Sequence, residues 1–176
     1  MTGPFLVTER LELWQPQSSD LASLFALTED EETRRFLGGR PASMQDSFER
    51  LLRNAGSWAL HGYGTFQVRL KGEAPIVANC GVFRSWRGLP GLDDVVEAGW
   101  IVHRDHWGKG IAGEVMQAVM DWFDRSHGHQ RVACMIEEGN LASQRLAAAL
   151  GFVEYGRHEA PDEPRPLVLY QRGGES

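Results

Sequence analysis

A glycine-rich turn between a predicted strand and a predicted helix is the feature that most constrains how this chain folds. The turn, His106–Glu114, reads HWGKGIAGE and holds three glycines and an alanine. Glycine lets a backbone approach an anion closely, and the first N–H groups of the following helix have no acceptor inside it. Because the positive end of the helix dipole lies behind them, these groups suit a phosphate. The sequence therefore predicts binding of a phosphate carrier.

Composition restricts the class of protein. With 176 residues, 42% of them hydrophobic, the chain suits one domain spanning 1–176 with a sizeable core. Its formal charge of −6 favours neither nucleic acid nor an anionic membrane as a partner. The N-terminus has no targeting pattern, and no apolar run approaches the roughly 20 residues that span a bilayer. We expect a cytoplasmic protein in which Cys80 and Cys134 are buried free thiols.

Hydrophobic periodicity predicts the order strand, two helices, three strands, helix, strand, helix and two strands. The predicted strands are 5–14, 65–70, 76–83, 95–102, 132–136, 152–155 and 166–170. This order predicts an α/β (α+β) fold, with a mixed sheet and helices packed on its faces.

Two connections are predicted in more detail. The second helix is expected to begin at Ser43 and to end near residues 54–56, with Phe48, Leu51 and Leu52 on its apolar side. Residues 84–94 are expected to form a polar loop, because glycine and proline interrupt the pattern there.

Residues 108–113 also match the GxGxxG pattern of dinucleotide-binding folds. In those folds the glycines follow the strand almost at once, whereas His103–Trp107 intervene here. Too little chain follows Ile136 to build the remaining parallel strands of such a fold. A nicotinamide dinucleotide is therefore the less favoured phosphate carrier.

Four stretches occur in the right order for a known family: Thr8–Leu13, Glu97–Val102, Trp107–Glu114, and Asn140–Ser143 with Gly151-Phe152. They resemble the GNAT superfamily of N-acetyltransferases, and within it the branch of the ribosomal-protein N-terminal acetyltransferases RimJ and RimL. The resemblance implies a mostly antiparallel sheet of about seven strands, helices on both faces, and a splayed cleft between the fourth and fifth strands. It also implies acetyl-CoA as co-substrate, no metal, and a monomer or homodimer.

The resemblance also implies how acetyl-CoA binds. Its pyrophosphate is expected on Gly108, Lys109, Gly110, Ile111, Ala112 and Gly113, held mainly by backbone N–H groups. Trp107 stands where the superfamily pattern has Gln or Arg, which leaves those groups in place. The pantetheine arm is expected to lie between the splayed strands as an added strand, bonded around Trp100, Ile101 and Val102. Asn140 is expected to bind this arm or to cap its helix.

Acetyl transfer to an amine needs an oxyanion donor and a base. The Val102 N–H is the predicted oxyanion donor. Glu97 is the predicted base, because a carboxylate is unusual in so apolar a strand and such a residue indicates a functional role. The alternative for Glu97 is a structural pair with an arginine, and Glu137 and His103 are weaker candidates for the base.

The proton donor of many family members is missing from this chain. A tyrosine usually stands seven positions after the capping asparagine, and Ala147 occupies that position. Ser143 is the predicted substitute, acting on the leaving thiolate directly or through a water. Its alternative role is that of an ordinary polar residue in the first turn of a helix.

The acceptor is predicted with least detail. By resemblance it is a protein N-terminal α-amine, with a small-molecule amine such as a polyamine, amino acid or aminoglycoside as the alternative. The first two helices and residues 84–88 are expected to border its site. A groove lined by Trp14, Trp58, Tyr63 and Trp86 is one expectation, and core packing of these rings is the other. A non-catalytic acyl-CoA-binding domain remains a third possibility.

Overall fold

The structure is a computed structural model that describes residues 3–174. Its strands are β1 Leu6–Val7, β2 Leu11–Trp14, β3 Thr65–Leu70, β4 Ile76–Trp86, β5 Asp93–Val102, β6 Val132–Glu137, β7 Val153–His158 and β8 Leu167–Arg172. Its helices are α1 Leu21–Glu29, α2 Met44–His61, α3 Ile111–His127 and α4 Leu141–Ala149. None of these helices is long and apolar enough to cross a membrane.

The eight strands form one sheet in the order β1-β2-β3-β4-β5-β6-β8-β7. Only β5 and β6 are parallel, and every other neighbouring pair is antiparallel. The predicted mixed and mostly antiparallel sheet is therefore confirmed. The predicted fourth and fifth strands correspond to β5 and β6.

The sheet has eight strands because the predicted first strand folds into a hairpin of β1 and β2. The Leu11 N–H donates to the Thr8 hydroxyl oxygen at 3.1 Å, and the Thr8 N–H donates to the Leu11 carbonyl at 2.9 Å. These bonds turn the chain between the two strands. Leu11 and Leu13 are fully buried, as the alternation of the sequence predicts.

Helix α2 is longer than predicted and buries a different face. The Ser43 side chain caps it as expected, but the helix continues to His61 and ends at Gly62, whose φ is +78°. Phe48 and Leu52 are exposed, and the buried side chains of α2 are Ser47, Leu51, Asn54 and Ser57. The polar ones are tolerated because they have partners. Asn54 bonds the backbone of Thr65, and the Ser57 hydroxyl donates to the Tyr63 carbonyl at 2.7 Å.

The predicted loop at 84–94 is also shorter in the structure. Strand β4 continues to Trp86 and β5 begins at Asp93, so the connection is a tight turn closed by a 3.0 Å bond from the Arg87 N–H to the Leu92 carbonyl. The extra length of β4 carries Arg84, Ser85 and Trp86 along the sheet, and Arg87 directly follows it.

Helices cover both faces of the sheet, as predicted. On β4, Ala78, Cys80 and Val82 belong to the core cluster that includes the buried side chains of α3. The residues between them point to the opposite face, where Asn79 adjoins Leu24 of α1 and Ser47 of α2. The face under α1 and α2 is the one that carries the site described below.

Gly81 sets how closely β3 approaches β4. It pairs with Gly99 of β5, and a Cβ at Gly81 would lie 2.7 Å from the Gly64 carbonyl oxygen and 2.8 Å from the Thr65 Cα. Because both atoms belong to the backbone, they cannot move aside cheaply.

We therefore expect Gly81→Ala to lower the free energy of unfolding by about 1–3 kcal/mol, measured by urea denaturation. Gly56→Ala is the matched control, since a Cβ there meets nothing within 4 Å in α2. That change should raise stability by up to about 1 kcal/mol. Equal stability of Gly81→Ala and the unaltered protein would contradict this account of the packing.

Candidate active site

A cleft opens where β5 and β6 separate. The two strands pair only through Val96 with Val132 and Glu97 with Ala133. Beyond these pairs lies a cleft of about 500 Å³. Its lining includes Phe36–Gly38, Arg50, Arg53, Asn54, Asn79, Arg84–Arg87, Glu97–Ile101, Cys134–Glu137, Asn140 and Ser143. The predicted splayed cleft is therefore confirmed between these two strands.

The edge of β5 offers backbone groups to this cleft. The His103 N–H donates to the Val77 carbonyl at 3.0 Å, and the register pairs Ile101 with Asn79. In an antiparallel pair, the N–H and C=O groups of successive residues point alternately toward the partner strand and away from it. Since His103 bonds Val77, the backbone groups of Ile101, two residues earlier, also point toward β4. The N–H groups of Trp100 and Val102 then face the side from which β6 has parted. Val102 directly follows the residues that line the cleft, and its carbonyl accepts from the Trp107 indole at 2.7 Å.

The glycine turn leads from the end of β5 into α3. Gly108 and Gly110 have φ values of +71° and +74°, which glycine adopts without strain. The first helical bond runs from the Glu114 N–H to the Gly110 carbonyl at 3.0 Å, and no side chain caps the helix. Among residues 3–174, the six N–H groups from Gly108 to Gly113 have no hydrogen-bond acceptor. The Lys109 ammonium donates to the Asp105 carbonyl at 2.9 Å.

Glu114 fastens this turn to the β1–β2 hairpin. Its Oε1 accepts from the Thr8 hydroxyl at 2.7 Å and from the Arg10 N–H at 3.0 Å, and its Oε2 accepts from Arg10 Nε at 2.7 Å. Arg10 Nη1 also donates to the Lys109 carbonyl at 2.8 Å. Although burial raises the pKa of Glu114, the bonds from Thr8 and Arg10 outweigh it and hold that pKa below its ordinary value.

Glu97 lines the cleft as a buried carboxylate that is already paired. It is 3% exposed, and Arg87 donates to both of its oxygens, from Nε at 2.9 Å and from Nη2 at 2.8 Å. The arginine pair named above as the alternative is thus present. Each carboxylate oxygen can accept more than one bond, so the pair still leaves acceptor capacity. The catalytic role of Glu97 stays a prediction.

Ser143 and Asn140 lie together at the start of α4. The Ser143 hydroxyl oxygen accepts from the Trp100 indole N–H at 3.1 Å, so its own proton is left to donate elsewhere. Asn140 Oδ1 accepts from the Ser143 N–H at 3.3 Å, which confirms the capping role and leaves its NH₂ group for another partner. Ala147 is fully buried in the core.

The two weaker candidates for the base differ in position. Glu137 lines the cleft, and its carboxylate accepts from the Gly38 N–H at 2.6 Å and from Arg165 at 3.3 Å. His103 is not among the lining residues. Its Nδ1 accepts from the Asp105 N–H at 3.3 Å and caps a short 3-10 turn.

Of the four aromatic residues considered for an acceptor groove, only Trp86 lines the cleft. Trp58 and Tyr63 pack in aromatic clusters of the core, for example against Phe66 and Phe123 respectively. The ring of Trp14 packs against Arg69, whose guanidinium carbon lies 4.9 Å from the ring centre. The groove prediction is wrong for these three, and the alternative of core packing is confirmed for Trp58 and Tyr63.

The cysteines are free and buried, as predicted. Burial raises the pKa of Cys80 to about 12 and also raises the pKa of Cys134, which lines the cleft. Within residues 3–174, no three His, Cys, Asp or Glu side chains are grouped so that they could hold a metal ion.

Sequence reasoning missed several residues that the fold brings to the site. The sequence places Thr8 and Arg10 only in an opening strand. It predicts that the second helix and residues 84–88 border the acceptor site, but it gives none of Arg50, Arg53 and Arg87 an individual role. For Arg50 and Arg53 a usable signal existed. They are spaced three apart, and Arg50 is three or four residues from Ser47 and Asn54, so all lie near one face of a long α2.

Comparison with known proteins agrees with this geometry. The profile of the Acetyltransferase (GNAT) domain family matches residues 10–153, so the chain belongs to the GNAT acetyltransferase family and is an acyltransferase. A GnaT-family structure from Bordetella pertussis superposes with a TM-score of 0.84 at 32% identity, over 96% of this chain and 98% of that one.

Two further relatives are informative. RimL, a ribosomal L7/L12 α-N-protein acetyltransferase solved with coenzyme A, has the same fold, with a TM-score of 0.74 at 16% identity over 96% of each chain. The L-amino acid N-acyltransferase MnaT of Escherichia coli (strain K12) is 33% identical over 88 residues, 50% of this chain and 51% of that protein. Membership of the GNAT acetyltransferase family supports acetyl-CoA as the co-substrate.

The depressed pKa of Glu114 predicts a pH-dependent contribution to stability. A carboxylate with a lower pKa in the folded state stabilises the protein above its unfolded pKa, and the contribution disappears as pH falls through the folded value. We expect Glu114→Gln to lower the free energy of unfolding by about 1 kcal/mol at pH 7. The difference from the unaltered protein should close on acidification, measured by urea denaturation from pH 7 to pH 3.

Glu9→Gln is the control, since it removes an exposed carboxylate from the same hairpin. A stability difference for Glu114→Gln that stays constant across this pH range would contradict the role given to the carboxylate.

Proposed function

We propose that the protein transfers the acetyl group of acetyl-CoA to a primary amine by direct attack in a ternary complex. The observation that carries the proposal is the run of six N–H groups from Gly108 to Gly113 that find no acceptor in the described part of the chain, at the end of a strand whose edge is open. Such a run supplies donors for a pyrophosphate, and the open edge supplies donors for an extended arm.

In this proposal, the pyrophosphate accepts hydrogen bonds from the backbone of Gly108–Gly113, and Lys109 adds positive charge. The pantetheine arm extends the sheet as an added strand along Trp100–Val102 and accepts from the Trp100 N–H, and the Val102 N–H is left for the thioester carbonyl. Ile101 contributes its side chain, because its backbone bonds β4. The free NH₂ group of Asn140 donates to the arm from the facing wall.

The residues of the cleft then serve the transfer. The amine nitrogen attacks the thioester carbonyl carbon, and the oxyanion accepts from the Val102 N–H. Glu97 takes the proton that the ammonium loses, directly or through water. As the tetrahedral intermediate collapses, the C–S bond breaks and the nitrogen loses its second proton. The Ser143 hydroxyl, directly or through a water, relays that proton to the leaving thiolate. Alignment of amine and thioester supplies much of the acceleration, since effective molarity is worth roughly 7–11 kcal/mol.

Two kinds of acceptor have support. A protein N-terminal α-amine follows from the RimJ/RimL resemblance and from the shared fold of RimL. A small-molecule amine follows from the 33% identity to an L-amino acid N-acyltransferase over half of the chain. Both are primary amines and require the same chemistry at the thioester.

The proposal predicts that acetyl-CoA raises the melting temperature and that an amine acceptor triggers release of free thiol. A panel of N-terminal peptides, amino acids and polyamines, read by a thiol reagent, tests this. Gly110→Asp should abolish the thermal shift, because it puts a negative charge among the pyrophosphate donors.

Gly62→Asp is the matched control at the end of α2. Gly62 has φ +78° and ψ +12°, close to the +74° and +15° of Gly110, so both variants strain the backbone alike. Gly62→Asp should keep the thermal shift with acetyl-CoA. A thermal shift without thiol release from any amine would instead indicate a binding domain without catalysis, and an unaltered shift in Gly110→Asp would contradict the pyrophosphate site.

For the base, we expect Glu97→Gln to lower kcat by about 100-fold or more and to leave the dissociation constant of acetyl-CoA unchanged. Glu73→Gln, in the exposed turn between β3 and β4, is the control and should leave kcat unaltered. Unchanged turnover in Glu97→Gln would remove Glu97 as the base and leave it the structural partner of Arg87.

A further inference from the structure

Arg50 lies on the face of α2 that is turned toward the sheet. Ser47 and Asn54, three residues before it and four after it, are buried on that face. Arg50 lines the cleft, and it also lines a smaller adjoining space with Asn79 and Ile101. Arg53, nearly one turn further along α2, lines the cleft as well. The helix therefore presents two guanidinium groups to the open space beside β5.

These two cations have no acidic partner. Two other arginines of the cleft are paired, Arg84 with Asp94 at 2.7 Å and Arg87 with Glu97 at 2.8 Å. Within residues 3–174, Arg50 and Arg53 form neither an ion pair within 4.0 Å nor a side-chain hydrogen bond. The chain carries 24 acidic residues against 18 basic ones, so the lack of acidic partners for these two arginines is local and does not follow from composition.

The arrangement is unfavourable for the protein alone. Burial lowers the pKa of Arg50, and the positive charges of Arg53 and Arg87 lower it further. Asp46, one turn earlier in α2, opposes this shift without forming an ion pair with Arg50. Arg50 and Arg53 are nevertheless exposed to solvent, because the cleft that they line is open. Like charges held together cost stability, and functional sites are where such costs concentrate. A bound anion would offset the repulsion.

Resting on the proposed function, we propose that the acceptor amine carries an anionic group, a carboxylate or a phosphate, and that Arg50 and Arg53 bind it. Guanidinium groups match the geometry of both anions. Trp86, 75% exposed at the rim of the same cleft, offers apolar surface to the rest of the acceptor. Polyamines and aminoglycosides, which carry only positive charge, are disfavoured at this site despite the acidic composition of the chain.

Matched acceptors that differ only in the anion test this proposal. The pairs are phenylalanine with phenylalaninamide, phosphoethanolamine with ethanolamine, and amidated peptides with aspartate or asparagine at the second position. Calorimetry on the full chain saturated with coenzyme A measures their binding without turnover, and acetyl-CoA assays give kcat and KM. At least one anionic member should bind about 10- to 100-fold more tightly than its neutral partner.

Three variants locate the binding site of the anion. Arg50→Gln should remove the preference and act mainly through KM, and Arg50→Lys should keep part of it. The melting temperature of Arg50→Gln should not fall, because the change relieves repulsion, whereas a structural role would lower it. Arg125→Gln, an exposed arginine near the far end of α3, should leave binding and turnover unchanged.

Equal binding of both members in all three pairs, no binding of any member, or an equal loss of both members in Arg50→Gln would overturn the proposal. The pair that shows the preference distinguishes carboxylate, phosphate and acidic peptide as its source. If an anionic member binds through Arg50 and no amine is acetylated, the proposed function fails while the anion site stands.

Discussion

The site depends on the early separation of β5 from β6. Two parallel pairs hold these strands together, and then β5 continues without a neighbour on that side. Backbone donors that lose a partner are costly unless water or a ligand satisfies them, and an open edge is a template for another extended chain. The same separation makes room for the cleft, so one departure from regular pairing creates both the ligand's bonding edge and the space it occupies.

The second requirement is that the glycine turn stays in place when no ligand holds it. Gly108 and Gly110 have positive φ values that favour glycine, and among residues 3–174 the N–H groups of Gly108–Gly113 have no acceptor. Rigidity comes from outside the turn, through Glu114 and its bonds to Thr8 and Arg10 of the first hairpin. A prearranged turn of this kind loses little conformational entropy on binding, which favours affinity.

Much of this could be predicted from the sequence, because the decisive signals are local. The glycines of 108–113, the helical spacing of α3 and the caps at Ser43 and Asn140 depend on neighbouring residues only. The buried face of α2 could not be predicted, since Ser47, Asn54 and Ser57 look solvent-facing until Thr65 and Tyr63 supply their partners. The same limit applies to the pair of Glu97 with an arginine, which the sequence predicts as an alternative without indicating that the arginine is Arg87. These two residues are ten apart in sequence, and the tight turn after Trp86 brings them together.

Charge at the site likewise differs from charge in the whole chain. An acidic composition favours cationic partners, yet the wall formed by α2 presents arginines without acidic partners beside the proposed thioester position. Local geometry decides the sign here, because separations of a few ångströms outweigh the screened field of distant carboxylates.

A crystal structure of the protein with coenzyme A tests the central claim most directly. The account predicts pyrophosphate oxygens within hydrogen-bond distance of the N–H groups of Gly108–Gly113 and the pantetheine arm alongside Trp100 and Val102. Coenzyme A bound elsewhere, with β6 or solvent occupying the edge of β5, would contradict it.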